Sequence, residues 1–358
     1  MKKKQWILAL VVLVALAALF YFGRDRIHFN FGTFRAQLAL ANWGSIGIGL
    51  ACIYLGYVLR AVRWALLMKH NKKVPLFSLL GTQVIGFTAV ALIGRVADLV
   101  RPYLVAKRTG LELSSQIAVY IVERLFDAGS MAFIFSSVIL WAAWFGAPGT
   151  LPHQEALKKG ALFGLAATLA GALFLVAIRI AGGVVAGFFE RAFGLVSKKL
   201  GIAAGHKIRT FQSGLDTMRS FSEFGAVAGL SLVMWLVISI AYLEVMRAFV
   251  ASPELGSMTL AKSMLLLAVS GGASVFQLPI LGWFTQIAVV AAAMVSFYGA
   301  SPEASTGCAA TLLLVTFLGI APVGLIWARF EHVSIRKIAS ESEHAGEKLG
   351  GDQPKSSA

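Results

Sequence analysis

The sequence predicts an all-α protein: a polytopic membrane helical bundle of about eight membrane helices, one or two of them re-entrant, with further interfacial helices. Three observations carry this. Hydrophobic residues make up 58% of the chain and charged ones only 14%, against about a quarter charged in soluble domains; mean hydropathy is +0.77. Apolar runs of roughly 20 residues, the length that crosses a bilayer, follow one another through most of the chain. Lys and Arg, which give a formal net charge of +15, gather between some runs and are missing between others, as cytoplasmic and outer loops differ. Residues 1–338 therefore read as one membrane domain, with no space for a separate catalytic domain. Residues 339–358, rich in Ser, Gly, Glu and Lys, read as a disordered and dispensable cytoplasmic tail.

No basic run interleaved with aromatics stands outside the spans, which excludes a nucleic-acid partner. Cys52 and Cys308 fall in apolar segments as packing residues, and the six His show no paired spacing. Neither a metal nor a cofactor is expected.

Lys2, Lys3 and Lys4 precede an apolar run over residues 6–22, read as an uncleaved first span. The second span, 43–68, is followed by Lys69, Lys72 and Lys73, a cytoplasmic signature. Arg60 and Arg63 lie on one face near its inner end. Snorkelling to the headgroups is the plain account of them, and a second phosphate contact the sharper one. Segment 76–93 is apolar and short, contains Gly81 and Gly86, and ends in Gly94. If it crossed the membrane, Lys107 and Arg108 would lie outside and the loop 144–154, which has no Lys or Arg, inside. A re-entrant segment removes that conflict and predicts a cavity, because irregular backbone at membrane depth must be buried in protein or line water.

A long helix over 113–144 then leads outward, and 160–180 returns. Between residues 179 and 224 basic and aromatic side chains mix, as in helices lying against anionic headgroups. Segment 225–249 leads outward again, with Glu244 and Arg247 expected to pair near its outer end. The arm 262–276, rich in small residues, breaks at Pro279 and Gly282 before 283–298. This is either a second re-entrant hairpin or two tightly joined spans. The last span, 304–327, ends in Arg329, so both termini are expected in the cytoplasm.

Six ionisable residues interrupt this hydrocarbon: Arg95, Asp98, Arg101, Glu123, Arg124 and Asp127. Each costs roughly 2.5–3.5 kcal/mol to insert, so such groups face a protein interior or wet cavity and are usually functional. As helix, Arg95, Asp98 and Arg101 recur every three residues, and Asp98 is expected to hold both guanidiniums while leaving donors for a ligand phosphate. Glu123 and Asp127 lie four apart on the next helix with Arg124 beside them, ready to complement the first trio across a cavity. A purely structural ionic lock between two helices is the competing account. Against it, buried ion pairs stabilise poorly compared with apolar packing.

The run Gly94-Arg95, Asp98, Arg101-Pro102, Ala106-Lys107-Arg108-Thr109-Gly110, followed by Glu123-Arg124-Leu125-Phe126-Asp127, resembles the signature of the lysylphosphatidylglycerol synthase transmembrane region, or flippase-like, family. That family commonly reads Gly-Arg-x-Gly-Glu-x-x-Arg-Pro and later Glu-Arg-x-x-Asp; Asp98 stands where it usually has Glu. Its later Pro-Gly-Gly and Glu signature is represented here by Pro279-Ile280-Leu281-Gly282, with Gln286 near the acidic position. The resemblance implies a multi-pass protein of the bacterial inner membrane that moves lipids between leaflets, with Pro279, Gly282 and Gln286 in its substrate path. The soluble aminoacyl transferase domain of fused members is absent from this sequence.

The leading expectation is a non-enzymatic flippase or transporter for an anionic or phosphate-bearing lipid: a phospholipid, an aminoacyl lipid or a polyprenyl-linked glycan. Membrane lipids are its expected partners, and a homo-oligomer or envelope-assembly partners stay open. Two alternatives stand beside it. One is a non-transporting accessory protein of envelope lipid or glycan assembly. The other is a membrane-embedded lipid-phosphate transferase using Glu123 or Asp127 as general base.

Overall fold

A computed structural model describes residues 29–70, 72–146, 152–215, 220–273 and 281–351. The expected first span over 6–22, Pro279 and the last residues of the tail, 352–358, lie outside the described residues. Every element among those described is helical, and six helices are long and apolar enough to cross a membrane: Trp43–Met68, Leu76–Ile93, Leu113–Phe145, Gln154–Gly194, Phe221–Arg247 and Pro302–Phe330. The chain divides into two compact units. One comprises Met1–Ile53, Val90–Arg95 and Ser239–Ala321; the other comprises Tyr54–Ala89, Val96–Ile238 and Pro322–Ala358.

In the first of these units, α1 (Phe31–Ala39) begins at Asn30, whose Oδ1 accepts from the amides of Gly32 and Thr33 at 2.8 and 3.1 Å. The Asn30 amide in turn donates to Glu303 Oε1 at 2.8 Å. The long helix α2 (Trp43–Met68) starts here, next to the end of a later long helix, Phe221–Arg247, since the Asn42 amide donates to the Ala248 carbonyl at 2.8 Å.

The other unit contains the remainder of α2 and its continuation. Helix α3 (Leu76–Ile93) stops at Gly94, whose φ of 90° is open to a residue without Cβ. A 3₁₀ turn, Arg95–Leu99, and α4 (Val100–Thr109) follow. Arg101 donates to Gln83, and Arg108 donates to the Ser78 carbonyl and Thr82 Oγ1 at 2.9 and 2.8 Å. Position 101 therefore faces 83, and 108 faces 78 and 82. The two helices run antiparallel, and α4 ends beside the start of α3. Lys72 Nζ marks that shared end by donating to the Thr109 carbonyl at 2.5 Å. At Gly86 an added Cβ would collide with the stem of Arg101, so the close approach of the two helices depends on glycine there.

Helix α5 (Leu113–Phe145) leads away, and α6 (Gln154–Gly194) returns and bends at Ala181, where φ is −134° and ψ 39°. The bend separates the expected return span from a segment with exposed Phe188 and Leu195. Helix α7 (Lys198–Leu215) packs back on it through Arg209, which donates to both oxygens of Glu190 at 2.7 and 3.1 Å. Helix α8 (Phe221–Arg247) starts with Glu223, which meets Lys69 Nζ at 3.3 Å and His70 Nε2 at 2.9 Å. Ala61, Trp64, Leu67, Met68, Leu79, Val105, Val119, Val122, Phe126, Ile178 and Val227 form the core of this unit, with one to four side chains from each of α2, α3, α4, α5, α6 and α8.

Back in the first-described unit, Arg247 takes a partner other than the expected Glu244: its Nε donates to the Met258 carbonyl at 2.8 Å. The short α9 (Pro253–Gly256) curls the backbone around to bring that carbonyl within reach. Helices α10 (Leu260–Ala273) and α11 (Leu281–Tyr298) again lie antiparallel. Tyr298 OH donates to the Lys262 carbonyl, and Gln286 Nε2 to Ser270 Oγ, each at 2.9 Å. Helix α12 (Pro302–Leu313) is capped by Ser301 and runs through a π turn, Leu314–Leu318, into α13 (Ile320–Phe330). The order long helix, antiparallel hairpin, long helix thus occurs twice along the chain.

The C-terminal segment differs from the disordered tail that its composition predicts. Helix α14 (Ile335–Gly351) continues well past residue 339. Ile335, Ile338, Ala339 and Ser342 recur at helical spacing, and the last three are buried. An averaged composition hides such a stripe. Glu341 accepts from Tyr103 OH at 2.9 Å and Lys107 Nζ at 3.1 Å, tying α14 to α4. Glu331, bonded to Trp327 Nε1 at 3.0 Å, pairs with Arg108.

Bonds from the Lys107 ammonium and Tyr103 hydroxyl hold the half-buried Glu341 carboxyl below the usual range. A carboxylate depressed in the folded state contributes stability above its unfolded pKa of about 4.3 and loses it as pH falls through the folded value. The protection of the amides over 335–345, taken relative to the intrinsic exchange rate at each pH, should therefore be high at pH 7 and fall as pH drops below about 4. Glu341→Gln should exchange faster than wild type already at pH 7; equal protection at both pH values would contradict the assigned tether.

Candidate functional site

In the unit Tyr54–Ala89, Val96–Ile238 and Pro322–Ala358, α2 turns Arg60 and Arg63 inward one helical turn apart. The snorkelling account fails here: Arg63 is 0% exposed and Arg60 9%. Sequence gives distance along a helix but not which face is covered, and this end of α2 is enclosed. Arg63 Nη1 donates to Asp127 Oδ1 at 2.7 Å and to Ser231 Oγ at 2.8 Å, and its Nη2 donates to Glu123 Oε1 at 2.8 Å. Arg60 Nη1 reaches Asp127 Oδ2 at 3.4 Å.

Arg101 enters from α4, also fully buried, and its Nη1 donates to Gln83 Oε1 at 3.0 Å and Glu123 Oε1 at 3.2 Å. Its guanidinium lies among three rings, 4.5 Å from Phe87, 5.0 Å from Tyr120 and 5.7 Å from Trp64. Such contacts ease the desolvation of a cation without consuming its N–H groups. Arg124 Nη2 sits 2.8 Å from both Glu123 Oε1 and Asp127 Oδ2. Its side chain is 36% exposed, which puts Arg124 at the mouth of the cluster, between the exposed Ile121 and Leu125. Trp235 Nε1 donates to Asp127 Oδ1 at 3.2 Å.

The structure thus brings together Arg60, Arg63, Arg101, Glu123, Arg124 and Asp127. Asp98 is half-buried on the 3₁₀ turn, and the hydrogen bonds of Arg101 go to the Gln83 amide on α3 and the Glu123 carboxylate on α5. The side chain of Arg95 lies outside the described residues, although its backbone opens the 3₁₀ turn. Gly282 and Gln286 are buried in the other unit, where Gln286 and Tyr242 share Ser270 Oγ as hydrogen-bond partner, each at 2.9 Å.

Sequence reasoning missed Gln83, Gln116, Ser231 and the aromatic lining. Some of this had a signal. Gln116, Tyr120, Glu123 and Asp127 follow helical spacing on one face of α5, and Gln83 is an isolated amide in an apolar helix. Ser231 and Trp235 carried none, being ordinary within a span.

Among the described residues, four guanidiniums meet two carboxylates. The donors are under-used: Arg63 Nε, Arg101 Nε and Nη2, Arg124 Nε, Gln83 Nε2 and Gln116 Nε2 are buried without a hydrogen-bond partner. Each buried unsatisfied donor costs about 1–3 kcal/mol, so these six leave capacity for further acceptor oxygens. No group of three His, Cys, Asp or Glu side chains suited to a metal ion occurs among the described residues.

Removing Glu123 would leave Arg63 and Arg101 buried beside less counter-charge. Glu123→Gln should destabilise the protein by roughly 3–5 kcal/mol, read as a lowered thermal midpoint in detergent. A midpoint matching wild type would refute its role as the hub.

No curated protein and no solved structure matches this chain. The family model described as the lysylphosphatidylglycerol synthase TM region matches residues 6–340. The match covers the six long apolar helices, the hairpins and every residue of the arginine cluster. The chain belongs to the lysylphosphatidylglycerol synthase transmembrane-region family and is an integral membrane protein with a membrane-lipid-related function.

Proposed function

We propose that this protein moves an anionic or phosphate-bearing lipid between the leaflets of the bacterial inner membrane, and that it performs no chemical step on it. The observation that carries the reading is the set of six unpartnered buried donors around Arg63, Arg101 and Arg124. A phosphate oxygen is the acceptor such donors fit, and Arg is the side chain best suited to hold it. Arg124 at the mouth would meet a headgroup first, with the acyl chains still in the bilayer.

The antiparallel return of α4 to the start of α3 supports a re-entrant hairpin. Lys69, Lys72, Lys107 and Arg108 would then share the cytoplasmic face, in line with the positive-inside tendency. Glu331 and Glu341 bind at that same end, which supports a cytoplasmic C-terminus. Two such hairpins in one chain suit a carrier whose broken segments bind substrate at membrane depth. Glu123 and Asp127 each accept from several guanidiniums, a state unsuited to a general base, so transport is favoured over transfer chemistry.

The test is reconstitution into vesicles with a fluorescent anionic lipid in one leaflet. Wild type should speed its appearance in the other leaflet, and Arg101→Ala should reduce the rate at least tenfold, with Arg101→Lys intermediate. Equal rates for wild type and Arg101→Ala would overturn the site.

A further inference from the structure

We infer that the head taken by the arginine cluster carries two negative charges on phosphate, as a phosphomonoester or a diphosphate, rather than the single charge of a phosphodiester. The inference rests on the reading of the cluster as a lipid-headgroup site and specifies its substrate class.

The argument is one of charge and acceptor count. Arg60, Arg63, Arg101 and Arg124 supply four positive charges, and Glu123 and Asp127 supply two negative ones within 3.8 Å. Among the described residues of the cluster two positive charges are in excess, in a site where Arg63, Arg101 and Glu123 are at most 1% exposed. An uncompensated buried charge is strongly unfavourable, so the occupant that closes this imbalance is a dianion. A phosphodiester would leave one guanidinium unmatched, and a head bearing an added ammonium would bring no net negative charge at all.

The donors point the same way. Unpartnered N–H groups come from α2, α3, α4 and α5, so they converge from several directions. A phosphomonoester offers three strong acceptor oxygens against two non-bridging ones in a diester. A diphosphate linking a lipid to a sugar spreads the same two charges over two phosphorus atoms. The aromatic rings around Arg101 leave Nε and Nη2 unbonded, so the guanidinium stays available for an oxygen pair.

The experiment uses the full chain in nanodiscs made of uncharged lipid, with short-chain probes: phosphatidic acid, phosphatidylglycerol, a polyprenyl-diphosphate-linked sugar, and inorganic phosphate. At pH 8 at least one of the two dianionic lipids should bind ten times or more tighter than phosphatidylglycerol, and inorganic phosphate should compete weakly. Whichever dianion binds tighter identifies the source. Lowering the pH until the lipid phosphate takes up its second proton should erode the advantage of phosphatidic acid. The phosphatidylglycerol arm controls for titration of the protein's own groups.

Arg124→Gln, at the exposed mouth, lowers the excess to one and should narrow the preference several-fold. Equal binding of phosphatidylglycerol and both dianions at pH 8 would overturn the inference while leaving the headgroup site intact. Inorganic phosphate binding as tightly as the lipids would overturn it in favour of a free anion. Failure of every lipid to bind, or binding unchanged in Arg101→Ala, would overturn the underlying reading itself.

Discussion

Two carboxylates on α5 hold together the unit that contains the cluster. Glu123 and Asp127 accept from guanidiniums on α2 and on α5 itself, and Glu123 also from Arg101 on α4. Inside a bilayer, apolar packing gives helices no solvent-driven reason to associate, so directional polar contacts and close fit take over that task. Here the polar contacts set where α2, α4 and α5 meet. The close fit is supplied by Gly86, which admits the Arg101 stem, and by the core around Trp64 and Phe126. The constraint is mutual: the arginines need the carboxylates to be buried at all, and the carboxylates are tolerated only because the arginines outnumber them.

Much of this was legible in the chain. Charges in hydrocarbon are conspicuous, so Arg101, Glu123, Arg124 and Asp127 could be singled out without coordinates, and loop charge gave reason to expect that segment 76–93 does not cross the membrane. Arg60 and Arg63 were equally visible but ambiguous, because a position near a helix end suits both a headgroup contact and a buried one; only the enclosure by α5 and α8 decides. Arg101 shows the reverse limit: its spacing to Asp98 fitted a helical pair, but Asp98 lies on a 3₁₀ turn and the guanidinium donates to Glu123. The C-terminal helix was missed because a polar composition with one narrow stripe reads as disorder until the partner surface on α4 is known.

The twofold occurrence of a hairpin flanked by long helices invites comparison of what each carries. The hairpin of α3 and α4 brings a cation to a charged cluster, whereas that of α10 and α11 holds an uncharged network of Tyr242, Ser270 and Gln286. One architecture has thus been fitted with two chemistries. That asymmetry agrees with the departure of Gln286 from the acidic residue common in the family at about this point.

If the cluster takes a lipid headgroup as proposed, the sharing of Glu123 Oε1 among Arg63, Arg101 and Arg124 bears on how fast the bound anion leaves. A site of bare arginines would grip phosphate so firmly that escape would be slow. With carboxylate oxygens already on the same guanidiniums, part of what an arriving anion gains is offset by contacts loosened to Glu123 and Asp127, and its departure returns the arginines to those acceptors. The net gain is then smaller than bare arginines would give, which favours shorter residence times. For a carrier, that reversibility matters more than tight capture.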